Sequence, residues 1–173
     1  MSSILIVLPL AIGLVAGCSG DTSTPRSGAP TAPAAAALAS SSQFVDQLDR
    51  SSSLAGVDAN KDGIRDDINR WLETQTFTEL QKKAVMNLAR SSQQTLLVDT
   101  QDKTAVRAAA QKDAVAMDCL YATFDPKSSR PREIVAQVEA LTANTQERAT
   151  QYIRYNEALG GMAFELTPAT ACE

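Results

Sequence analysis

Beyond residue 43 the apolar positions recur at steps of three and four, and no run alternates apolar with polar for long. That period belongs to an α-helix, where residues so spaced share one face; a half-buried strand repeats every second residue. A short helix is expected over Gln43–Arg50. A second carries Ile64, Ile68, Trp71 and Leu72 on one side. Thr76 followed by Glu79 fits a capping box, which satisfies two orphan backbone donors, and so opens a third helix with Leu80, Ala84 and Leu88 on one face. The polar stretch Asp99-Thr100-Gln101-Asp102 breaks the period. A fourth helix then runs from Thr104 to Phe124, striped by Val106, Ala110, Met117, Leu120 and Phe124. Asp125-Pro126 ends it, because the residue before a proline is pushed out of the helical region.

The last predicted helix is the longest. Pro131 suits its first turn, and Gly160-Gly161 offers the left-handed stop. Between them Ile134, Val138, Leu141, Thr145, Arg148, Tyr152, Tyr155 and Leu159 follow steps of four and three, with a polar middle. A 3.6-residue period drifts off a strict heptad. The favoured reading therefore rotates the stripe to Thr142, Ala149 and Ile153 and leaves Arg148 in water. The other reading gives Thr145 and Arg148 an interior polar contact or a partner groove. Together these elements predict an all-α fold, a small bundle of four to five helices over residues 43–173, one domain by length.

Ser19–Ser42 differs in composition. It holds Pro25, Pro30 and Pro33, much Ser, Thr and Ala, and two charges, Asp21 and Arg26. Such a segment buries too little apolar surface to offset its ordering entropy and reads as a disordered tether, a coil of roughly 25–30 Å. Before it, Ile4–Val15 is apolar, suits a signal-peptide core and is too short for a spanning helix of about 20 residues. The run closes on Leu14-Val15-Ala16-Gly17-Cys18, which resembles the lipobox of bacterial lipoproteins. The resemblance implies removal of residues 1–17 and acylation of Cys18, with residues 18–42 as acylated cysteine and linker. More than one acyl chain is needed for stable anchoring. Ser19, where an Asp retains such proteins at the inner membrane, implies a lipid-anchored protein of a Gram-negative outer membrane, facing the periplasm. Cys119 and Cys172 then sit in an oxidising compartment, where two cysteines allow one disulfide. Closing that loop stabilises by about 4 kcal/mol on the chain-entropy account. A catalytic Cys119 is disfavoured, because the chain has no histidine to activate it and apolar surroundings raise a thiol pKa.

The sharpest chemical signal is Asp58-Ala59-Asn60-Lys61-Asp62-Gly63-Ile64-Arg65-Asp66-Asp67. Counting Asp58 as the first position, oxygen side chains fall at the first, third, fifth and ninth, and Gly63 takes the sixth, where a sharp turn is needed. Alternate side chains of such a loop converge on one point, so short oxygen ligands surround a hard cation. The spacing resembles the calcium loops of EF-hand, dockerin and thrombospondin type 3 proteins. It implies Asp58, Asn60 and Asp62 as side-chain ligands and Ile64 through its carbonyl, with Asp66, Asp67 or Asn69 closing the loop over 58–69. The twelfth position, Asn69, lacks the usual bidentate carboxylate, so a weak, structural calcium site is expected. The competing reading is a polar turn, with Asp66 capping the helix that follows.

The formal charge is −4, and no basic run is present to track a phosphate backbone, which argues against a nucleic-acid partner. The absence of histidine removes Ser-His-Asp and Cys-His catalysis and most zinc sites. Glu133, Glu139, Glu147 and Glu157 fall on polar helix faces and are expected in solvent rather than as a catalytic pair. Trp71, Tyr121, Tyr152 and Tyr155 are expected in the core, or else as anchors for a partner. The segment Asp62-Gly63-Ile64-Arg65-Asp66-Asp67-Ile68 also resembles a loop of small bacterial lipoproteins without an assigned activity. The chain thus reads as a non-enzymatic envelope module with a protein partner. The second reading is a periplasmic immunity or inhibitor lipoprotein that neutralises a toxin or hydrolase.

Overall fold

A computed structural model describes residues 46–163; the signal segment 1–17, Cys18, the linker to residue 42 and Cys172 lie outside the described residues. The described residues form an all-α bundle without strands: α1 (Asp66–Glu73), α2 (Glu79–Leu97), α3 (Lys103–Ala122), α4 (Arg130–Thr142) and α5 (Gln146–Ala158). The central helix is α2, which packs against each of the other four.

Local signals account for most helix ends. Asp102 accepts from the Thr104 and Ala105 N–H groups and starts α3. Thr145 accepts from the Arg148 N–H and starts α5. The capping box that opens α2 is Thr78 with Gln81, two residues beyond the Thr76–Glu79 pair expected. Thr78 sits where the chain turns helical, so its hydroxyl meets an orphan donor, and Thr76 precedes that point. Leu80, in the first turn of α2, accordingly points to solvent. The helix expected at Gln43–Arg50 is not present over its described part, residues 46–50, which form a turn followed by irregular chain. That segment gives its backbone groups to tertiary partners described below.

The larger core joins Ile64 and the apolar side of α1 to Ala84, Val85 and Leu88 of α2, Leu120 of α3, and Ile134 and Val138 of α4. A smaller cluster joins Val106 and Ala109 of α3 to Tyr155 and Ala158 of α5. Helix α2 changes character along its length. Its first half buries Ala84, Val85, Leu88 and Ala89, whereas its second buries Ser91, Ser92, Gln93 and Thr95 beside a single large apolar residue, Leu96. Two of these hydroxyls bond back to carbonyls of the same helix, Ser91 to Leu88 and Thr95 to Ser92, and so enter the interior satisfied.

The helix expected from Pro131 to Leu159 is two helices. Residues 143–145 turn the chain between α4 and α5. Arg148 is fully buried, and Ile153, placed on the core stripe by the drifting period, is 56% exposed. The rotated stripe therefore misplaces the faces of α5, whereas the unrotated one holds: Arg148 and Tyr155 are buried and Tyr152 and Leu159 half-buried, and Arg148 makes the interior polar contact that was the second reading.

Candidate functional site

The loop after residue 57 is shaped by its own side chains. Asp58 accepts from the N–H groups of Asp62 and Gly63, at 3.2 and 2.9 Å. Asn60 accepts from the Asp62 N–H, and Asp62 from the Ile64 N–H. Lys61 and Gly63 both adopt positive φ, 57° and 83°. For Gly63 this conformation has little steric cost, and it folds the chain back at the expected point.

The fold brings most of the expected loop side chains together. Asp62 Oδ2 receives the Asn60 side-chain amide at 2.9 Å and that of Asn69 at 3.0 Å. The third, fifth and twelfth positions thus meet. Asn69 reaches the loop from α1, whose start carries it back over Asp62. Burial pushes the Asp62 carboxyl pKa up, but the Ile64 N–H, the two amides and nearby Arg90 outweigh this and hold it below its ordinary value. Arg90 also donates to the Asp62 carbonyl at 2.6 Å, tying the loop to α2.

Of the two acids expected to close the loop, Asp66 stays at its base and Asp67 leaves it. Asp66 accepts from the Ala59 N–H, and its own N–H donates to the Val57 carbonyl, closing the base of the loop. It does not cap α1, whose N-cap residue is Arg65, with no side-chain cap. Asp67, grouped with the closing ligands from sequence, is turned into the protein. Both of its oxygens bond to Arg65, at 2.8 and 2.7 Å, and accept from the Ile68 and Asp49 N–H groups besides. A carboxylate so engaged is part of the interior and not of the loop. Among the described residues no three acidic, cysteine or histidine side chains gather as a metal cluster. Asp58 and Asp62 remain within the loop with amides beside them, and Asp66 stands at its base.

The buried charge cluster beneath the loop was not legible in the sequence. Arg65 and Arg148 are both fully buried, beside Asp67 at 1% and Asp49 at 15% exposure. Arg65 also donates to the Leu141 and Thr142 carbonyls at the end of α4, at 3.0 and 3.3 Å. A cation is favourable at those orphan carbonyls, where the helix dipole is negative. Arg148 donates to the Ser53 and Asp49 carbonyls and to Asn144, and lies 3.4 Å from the Asp49 carboxylate. Asn144 gives its amide to the Asp49 carbonyl. Gln93 of α2 donates to the Leu54 and Ala55 carbonyls. Residues 49–57 are therefore strapped across the bundle by side chains from α1, α2 and α5, which explains why they form no helix. The cluster balances two positive against two negative charges, as interior charges require. Burial, and then the Arg65 charge, lower the Arg148 pKa, partly opposed by Asp49 and Asp67.

Asp49 predicts a pH dependence. Burial alone would raise its pKa, but the Ser51 hydroxyl and N–H, Arg148 and the Val57 N–H more than reverse this and lower it to about 2. A group with a depressed folded-state pKa contributes stability that is present above its unfolded value and lost as pH falls through the folded one. The wild-type protein is expected to lose about 2 kcal/mol from this residue as pH drops from about 4 to about 2. Urea midpoints of wild type and Asp49→Asn at each pH check this. The gap between them should narrow steadily on acidification, and a constant gap would show that Asp49 does not carry the effect.

Among the other expected sites, Glu133, Glu139, Glu147 and Glu157 all lie at the surface. Trp71 and Tyr155 are core residues, Tyr152 is half-buried and Tyr121 is exposed. Cys119 is disulfide-bonded, and Cys172, its expected partner, lies outside the described residues. No helix among the described residues is long and apolar enough to cross a membrane. No protein family, curated protein or solved structure matches this chain.

Proposed function

We propose that this protein is a non-enzymatic module of the cell envelope, a helical binding domain tethered to the outer membrane through acylated Cys18 and stabilised by calcium at residues 58–69. The observation that carries the reading is the meeting of Asn60, Asp62 and Asn69 around one carboxylate oxygen, beside Asp58. The donor set suits a hard cation. Asp58 and Asp62 offer carboxylates, and Asn60 and Asn69 offer amide oxygens once each amide turns over, a rotation that leaves the backbone in place. Ile64 offers its carbonyl. Calcium held by these residues would supply the positive charge that offsets the Asp58 and Asp62 carboxylates, with Asn69 joining the loop to α1. With two acids the site is weak, suited to a compartment where calcium is abundant. The absence of histidine, and the exposure of Glu133, Glu139, Glu147 and Glu157 at helix surfaces, favour binding over catalysis.

The test is the thermal melt of the full chain in excess calcium and in chelator. Calcium at about ten times its dissociation constant stabilises by about 1.4 kcal/mol and raises Tm by several degrees. The variant Asp58→Ala/Asp62→Ala is expected to lose the shift. An unchanged Tm at millimolar calcium would reduce the loop to a polar turn and remove the metal from the proposal.

A further inference from the structure

We propose that the cleft enclosed by α2, α3, α4 and α5 binds a small organic ammonium ion, its charge held between Asp113 and Glu139 and its carbon body against Tyr152 and Tyr155. This site is separate from the 58–69 loop, and its argument does not depend on calcium.

The cleft has a volume of about 280 Å³, and none of its lining residues is Lys or Arg. Asp113 enters from α3 and Glu139 from α4. Asp113 uses Oδ1 for the Ser91 and Ser92 hydroxyls, at 2.7 and 3.5 Å. Its second oxygen has no hydrogen bond among the described residues. Glu139 stands at the exposed rim and accepts from the Tyr152 hydroxyl at 3.2 Å. Thr142, which also lines the cleft, is 2% exposed, and its hydroxyl has no partner among the described residues. A hydroxyl so buried gains from any ligand group that reaches it. The lining is therefore negative, with a carboxylate oxygen and a buried hydroxyl oxygen both open to a donor.

The electrostatics agree with the geometry. Burial, and then the charge of Glu139, raise the Asp113 pKa, although the two serines oppose this. Burial and the Asp113 charge push Tyr155 up to about 12. A cation entering the cleft relieves the carboxylate repulsion. A primary ammonium carries three donors and no acceptor, which complements this lining, and tyrosine faces attract a cation further. Ala110, Ala114, Met117 and Leu159 supply apolar wall for a short carbon chain. A bare metal ion fits less well, because it demands about six close oxygens and has no use for that wall.

Butylammonium and butanol, which share a carbon chain and differ in charge, are the probes for isothermal titration against the full chain. Butylammonium is expected to bind and butanol not. Glu139→Gln, a rim substitution outside the core, should weaken butylammonium about tenfold, as loss of one charge-assisted contact does. Asp113→Asn should do at least as much, with circular dichroism and the melt checking its fold. Glu157→Gln, an exposed acid that does not line the cleft, should leave binding unchanged. Equal binding of butanol, equal weakening by Glu157→Gln and Glu139→Gln, or no heat at millimolar butylammonium would each overturn the proposal. Loss of the calcium shift in the melt would leave this result untouched, so the two readings fail separately.

Discussion

Replacing Arg65 with methionine is expected to destabilise the fold by about 3–5 kcal/mol, because removing one member of a buried pair strands the other charge. Asp67 would remain 1% exposed with no cation bonded to it, and the Leu141 and Thr142 carbonyls would lose their donor as well. A typical domain has about 5–15 kcal/mol in all, so this single change removes a large share. Urea unfolding measures it. The comparison is Glu133→Gln, which breaks the Arg130–Glu133 pair, whose side chains are 39% and 52% exposed. An ion pair in water is worth about 0–1 kcal/mol, so that variant should melt close to wild type. The double variant Arg65→Met/Asp67→Leu should recover part of the loss, since it removes the stranded charge along with its partner. A loss from Arg65→Met no larger than that from Glu133→Gln would mean that the cluster is not the anchor of the fold.

Gly56→Ala is expected to cost about 2–4 kcal/mol, combining backbone strain with overpacking. Gly56 has φ +66°, and a Cβ there would run into Arg65 Cδ and lie 2.7 Å from both Arg65 Cγ and the Asp49 carboxylate. Those are side chains of the charge cluster, in which Arg65 is fully buried and held by Asp67 and two α4 carbonyls. Gly161 is the matched control. It has φ +77° but nothing within 4 Å of a Cβ. Gly161→Ala should therefore cost about 1–2 kcal/mol, the left-handed conformation alone. Thermal melts of the two variants separate the contributions. Equal losses would show that the strap over Arg65 relaxes freely.

The stripes of α1, α3 and α4 were legible because each helix buries one continuous apolar face. Ile64, Ile68, Leu120, Ile134 and Val138 are all fully buried, as their spacing requires. The loop's turn was legible for a different reason. Asp, Asn and Gly at fixed offsets act on their own backbone within a few residues, so no distant partner is needed. Asp49, Arg65 and Arg148 were not legible, because a charged residue on a polar-looking stretch has the same local signature in solvent and in the interior. What distinguishes them is a partner 18 to 99 positions away. The break at residues 143–145 had one weak signal, Thr145 ahead of Glu147 as a helix start, and the longer heptad-like run concealed it.

By itself, then, the sequence determined that the chain is helical, where most helices lie and how the 58–69 loop turns, since these follow from side chains acting on nearby backbone and from apolar faces seeking cover. Only the tertiary structure decided which charges are interior, which acids leave the loop and where the last helix divides. The reason is that Arg65 and Arg148 gain from burial only when Asp67, Asp49 and the free carbonyls of α4 and residues 49–53 surround them together.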